Sequence, residues 1–83
     1  MPTEKNPVRE MRESLNLNQK EFAAQAGVTL GTLRMVEGGG YLSLSQLLAN
    51  KLAGMLPEVT PEHLKEEYSA WRRQMEAERQ RRS

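Results

Sequence analysis

The side chains that could do chemistry in this chain are best sought in the stretch from Leu17 to Glu37, which holds arginine, threonine, leucine and glycine in an apolar-periodic pattern. Arginine carries a planar fork of donors that matches O6 and N7 of guanine. Threonine hydroxyls bond base edges or phosphates, and leucine packs on a thymine methyl. Glycine contributes close backbone approach and costs about 1 kcal/mol of helix stability. Such a set recognises a surface and does not transform a substrate. Arg34 has two other uses, a phosphate contact or a free surface charge.

Reactive constellations are missing. The chain has no cysteine and a single histidine, His63, so metal-ligating material is poor. His63 falls in the first turn of an expected helix, where a solvated side chain is the ordinary role. Gly38-Gly39-Gly40 lacks the lysine and flanking strand of a phosphate-binding loop. No serine lies in a nucleophile elbow. No enzyme activity, metal or cofactor is expected.

The elements that position these residues follow from start and stop signals. Asn18 is an N-cap with Glu21 closing a capping box, and Leu17 and Phe22 stand at staple positions. Thr29 caps the next helix, with Val28 and Leu33 as its staple. Ser43 and Gln46 read as a further capping box, with Leu42 and Leu47 as the staple. Asn6-Pro7 and Thr60-Pro61 open two more helices, since proline is favoured at the first helical position. Helices are therefore expected near residues 7–15, 19–26, 30–37, 44–56 and 61–80, with no strand. Gly27 ends the second in a left-handed conformation. Gly38-Gly39-Gly40 ends the third as a mobile loop, and Pro57 stops the fourth. Residues 1–5 and 81–83 are expected to fray. Val8, Met11, Leu15, Phe22, Ala23, Ala26, Leu33, Val36, Leu44, Leu47, Leu48, Leu52 and Met55 supply one small core. Met1, Met11, Met35, Met55 and Met75 fill core or interface gaps.

Two short helices joined by a tight turn at Gly27 present the second helix outward, and the usual surface met by that geometry is the DNA major groove. Bulk charge adds little, since 12 Lys/Arg against 11 Asp/Glu leave +1 over 83 residues. Residues 1–37 carry five charges of each sign. The surplus lies in residues 70–83, where Arg72, Arg73, Arg79, Arg81 and Arg82 face Glu76 and Glu78. That tail either is solvated or tracks phosphates beside a groove. No apolar run approaches membrane-spanning length and no signal-peptide core opens the chain. With no cysteine, a reducing cytoplasm is the expected setting.

Several of these residues coincide with a known pattern. Leu17-Asn18-Gln19, Phe22-Ala23, Gly27-Val28-Thr29, Glu37 followed by Gly39, and Arg12 seven residues before Gln19 resemble the lambda-repressor-like helix-turn-helix family. That family includes phage repressors, Cro proteins and XRE-type regulators. The resemblance runs from about Val8 to Leu48 and implies an all-α, five-helix lambda-repressor-like DNA-binding domain. It implies that Gln19 grips a DNA phosphate at a helix N-terminus, where an anion is already favoured; a solvated first-turn glutamine is the alternative. It places Leu30, Gly31, Thr32, Arg34 and Met35 at base-reading positions and adds a DNA contact to the capping role of Thr29. Family members commonly carry glutamine, serine, asparagine or arginine there. Leu30 and Gly31 at the leading end shift selectivity toward apolar contact and DNA shape. Arg12 is expected to pair with Glu37, because a buried charge without a partner costs several kcal/mol. Two separate surface charges are the other reading.

The last helix carries Leu64, Tyr68, Trp71 and Met75 at spacings of 4, 3 and 4, a short heptad-like seam. It completes the core of its own chain, pairs with a second copy, or does both, its first turn packing inward and its later turns pairing outward; the dimer is the favoured expectation. Where this chain has Gly54, the family usually has an apolar residue, so the arrangement from there on is open. The expected division is a DNA-binding domain over 6–57 and an extended C-terminal helix with a basic tail over 58–83. The whole reads as a small transcriptional regulator, a phage or bacterial repressor, binding double-stranded operator DNA as a homodimer with helix 30–37 in the major groove. The rival is a protein-interaction module on the same scaffold, such as an antitoxin or anti-repressor partner.

Overall fold

A computed structural model describes residues 5–82, with Arg82 described in its backbone only. Residues 1–4 and 83, part of the ends expected to fray, lie outside the described residues. Five helices follow one another: α1 (Pro7–Ser14), α2 (Gln19–Ala26), α3 (Leu30–Gly38), α4 (Gln46–Ala53) and α5 (Pro61–Arg82). The described residues contain no strand.

Local chemistry explains most helix starts. Asn6 Oδ1 accepts from the amides of Val8 and Arg9, and Pro7 takes the first helical position. Asn18 and Glu21 form the reciprocal capping box. Thr29 Oγ1 accepts from Thr32 N at 3.0 Å. Thr60 Oγ1 accepts from His63 N at 3.1 Å, ahead of Pro61. Gly27 (φ 79°) and Gly39 (φ 78°) cap α2 and α3 in the left-handed region. Asn16 (φ 57°) turns the chain between α1 and α2, one of the few side chains that tolerate this conformation.

The fourth helix begins later than its serines suggested. Its N-cap is Ser45, not Ser43, and Ser45 Oγ accepts from Leu48 N at 3.2 Å. The expected staple is therefore absent: Leu42 is 77 % and Leu47 66 % exposed. Leu44 enters the core ahead of the helix, and Ala49, Leu52 and Ala53 form its buried face. The shift of two residues exchanges which leucine points inward. Leu47 is thus not a core residue.

One core joins all five helices. Val8, Met11, Phe22, Ala23, Leu33, Val36, Leu44, Leu52, Leu64 and Tyr68 are buried in a single cluster. Leu64 and Tyr68 bring α5 into it, so the first part of the expected seam completes the core of its own chain. Each large apolar side chain buried this way contributes about 1.5–3 kcal/mol. Trp71 packs beside Tyr68 with ring centroids 5.6 Å apart.

Gly38-Gly39-Gly40 is not an open loop. Gly38 closes α3, and Gly39 is buried. A Cβ on Gly39 would sit 3.0 Å from Met75 Sδ and 3.1 Å from the Trp71 ring. Met75 and Trp71 therefore rest on the glycine backbone.

Candidate nucleic-acid interface

The local sequence of α3 divides it into two faces. Leu33 and Val36 are buried and fix the helix to the core. Gly31, Arg34, Met35 and Gly38 are exposed and stand at i, i+3, i+4 and i+7, a single outward stripe. Met35 is 46 % exposed, and its methyl end lies over Gly40, where a Cβ would come within 2.6 Å of it. Leu30 is half-buried at the leading end. A Cβ on Gly31 would meet nothing within 4 Å. The glycine therefore leaves space outside the helix that none of the described residues fills.

The leading end is held by its own residues. Thr29 Oγ1 accepts from Thr32 N and donates to Thr32 Oγ1 at 2.8 Å. Thr29 is thus spent on capping, whereas Thr32 keeps its own hydroxyl hydrogen for an outside acceptor. Beside this end runs a cleft of about 390 Å³ between the Gly27–Thr29 turn, Thr32 and the Ser43–Lys51 segment. Ser43, Ser45 and Lys51 line its far wall. The donors of Ser43 and Lys51 were not anticipated from the sequence, because only the fold brings that segment beside α3.

The trailing end is gripped from outside. Arg12 of α1 donates from Nε to Glu37 Oε2 at 2.8 Å and from Nη2 to Glu37 Oε1 at 3.1 Å. Its Nη1 donates to Leu17 O at 2.9 Å, so one guanidinium ties α1, the start of α2 and α3. The two side chains are only 15 % and 6 % exposed. The Glu37 hydrogen bond raises the Arg12 pKa above its ordinary value, against the opposing effect of burial.

Gln19 joins the same network. Its Nε2 donates to Glu37 Oε1 at 3.2 Å, from the first position of α2. It is neither loose in solvent nor free of internal partners. Asn6 adds a second tie that sequence reasoning did not see. Its Nδ2 donates to Val36 O and Glu37 O, both at 3.0 Å, while its Oδ1 caps α1. Those carbonyls are among the last four of α3, beyond the reach of its regular hydrogen bonds; Val36 O also accepts from the cap amide of Gly39 at 3.2 Å. Proline at position 7 signalled the cap, but nothing in the sequence names a backbone acceptor 30 residues away.

The described residues contain no group of His, Cys, Asp or Glu that could hold a metal ion. No helix among them is long and apolar enough to cross a membrane. The arrangement is a rod fixed at its back and trailing end, with an open outer stripe and hydroxyls at its leading end. That is the geometry of a groove-reading helix.

Comparison with known families agrees with this geometry. The helix-turn-helix family model matches residues 8–64, more than half of the chain. No curated protein and no solved structure matches it. The chain thus belongs to the helix-turn-helix family, in its XRE-type, lambda-repressor-like form, a family of DNA-binding regulators.

Proposed function

We propose that this chain is a sequence-specific transcriptional regulator that lays α3 in the major groove of an operator. The observation that carries the reading is the exposed stripe Gly31, Arg34, Met35 and Gly38, opposite the anchored Leu33 and Val36. Arg34 reads a guanine through its fork of donors. Leu30 and Met35 supply apolar contact to thymine methyls, and Gly31 admits the duplex close to the backbone. Thr32 bonds a base edge or phosphate with its remaining hydrogen, and Thr29 serves chiefly as the cap beneath it.

Gln19 holds a phosphate. An amide nitrogen carries two hydrogens, and one of them lies on Glu37. The other remains for a phosphate oxygen at the N-terminus of α2, where anions are favoured. Ser43 and Lys51 on the far side of the cleft serve a neighbouring phosphate.

With one arginine and few hydroxyls on the reading face, a single contact is weak. Binding as a homodimer to two half-sites about one helical turn apart multiplies it. Repression by occupying the operator is the regulatory role proposed.

DNA fragments selected by the purified chain test the reading. Arg34→Ala is expected to weaken the selected site about tenfold and to relax the preference at one guanine. Gln19→Ala should weaken all sequences alike. Affinity no better than weak low-salt background, unchanged by either substitution, would sink the proposal. The mass of the complex by light scattering tests the dimer, and one chain per selected site would refute it.

A further inference from the structure

The family match ends at residue 64, and α5 continues to Arg82. The part of α5 beyond the match is not a passive tail. Tyr68 OH donates to Tyr41 O at 2.7 Å, and Arg72 Nε donates to Gly39 O at 2.8 Å. Trp71 and Met75 press on the Gly39 backbone. All four act on the segment that leaves the trailing end of α3.

That segment needs outside support. Three glycines in a row are a weak helix end, because glycine loses the most conformational freedom on ordering. The backbone of Gly39 is buried, and its carbonyl would be left without a partner if Arg72 were absent. The side chain of Arg72 is only 13 % exposed and also holds Glu76 at 2.8 Å. It is therefore unlike the exposed Arg73 and Arg81 further along the helix, and it is poorly placed to reach a phosphate.

We propose that residues 68–75 of α5 form a strap that sets the angle of the recognition helix, with Arg72 as its positioning residue. This rests on α3 being the groove-reading element. Gly38, the last member of the outward stripe, adjoins Gly39, and Met35 lies over Gly40. A change in how Gly39 is seated moves both ends of that half of the stripe. The strap thus rigidifies a helix end that its own glycines would leave loose, and DNA binding draws on the pre-set angle.

The test compares wild type and Arg72→Gln on selected operator DNA, at a temperature where circular dichroism shows both fully folded. Arg72→Gln is expected to bind about tenfold more weakly, the loss of one charge-assisted hydrogen bond. The salt slope should stay unchanged, and exchange of the Gly39 and Gly40 amides should speed up while α2 amides stay as they are. Met75→Ala removes packing on Gly39 without touching a hydrogen bond. It should give the same pattern, and it carries the test if Arg72→Gln does not fold. Equal affinity in these variants would overturn the strap alone. A weaker complex whose salt slope falls by about one would overturn it too, since Arg72 would then be a phosphate contact. A wild-type chain with no affinity for DNA would instead bring down the functional reading beneath it.

Discussion

The two ends of α3 are held in opposite ways. The leading end, Thr29 to Thr32, is secured by one cap made of its own residues. The trailing end, Val36 to Gly40, is secured by Asn6, by Arg12 and by α5. A reading helix needs a free surface where it meets its target and a fixed position everywhere else. Concentrating the anchors at one end meets both needs, because side chains near the leading end remain open to a partner. The difference also predicts where substitutions hurt. Changes at the trailing end should act on the fold first, and changes at the leading end on recognition.

The largest effect should come from Glu37→Ala. It strands the Arg12 guanidinium and removes the acceptor of Gln19. Breaking a buried pair by removing one partner costs 3–5 kcal/mol, and the partial exposure of Arg12 argues for the lower end, about 3 kcal/mol. A double-mutant cycle with Arg12→Met in urea sharpens the point. The double variant should regain much of the loss, since two absent charges are cheaper than one unpaired charge. Strictly additive costs would show that the trailing end is not held through this pair.

A smaller effect is expected at Tyr68, where α5 meets the loop after α3. Burial is the main cause that raises the Tyr68 pKa above its ordinary 10.0. The folded state therefore holds this proton more tightly than the unfolded one. Its stabilising contribution is complete below pH about 10 and is lost as pH rises through the higher folded value. Tyr68→Phe should cost about 1 kcal/mol at neutral pH through the lost bond to Tyr41 O. Above pH about 10 its melting temperature should fall less steeply than that of wild type. Parallel alkaline melting curves would place the phenol outside the load of this contact.

The leading end was legible in the sequence and the trailing end only in part, for a physical reason. Asn18 with Glu21, Gly27, and Thr29 act on backbone groups within a few residues, so spacing alone carries their meaning. The Arg12–Glu37 geometry bridges 25 residues and followed from the family pattern and the need of buried charges for partners. Asn6 and Arg72 bond main-chain carbonyls 30 and 33 residues away, and a carbonyl has no side-chain identity to read. The start of α4 was misplaced because Ser43 and Ser45 are equally good caps. Leu44 decides between them, since it is buried while Leu42 is 77 % exposed. The glycine run after α3 looked loose because what covers Gly39 comes from residues 71–75.

The smallest effect belongs to the leading end and has the opposite sign. Gly31 is helical and exposed, and a Cβ there would touch none of the described residues. Gly31→Ala should therefore stabilise the fold by about 0.5–1 kcal/mol, the difference in helix propensity. If the outer stripe lies against a duplex, the same methyl intrudes where the backbone was to approach, and operator affinity should drop while the melting temperature rises. Stability and binding then move apart, which no substitution at the trailing end should do, because there both fall together. A Gly31→Ala variant that is more stable and binds the selected DNA at least as well as wild type would show that the glycine serves no close approach. The contrast between an end that is anchored and an end that reads would then have to rest on Thr32 and Arg34 alone.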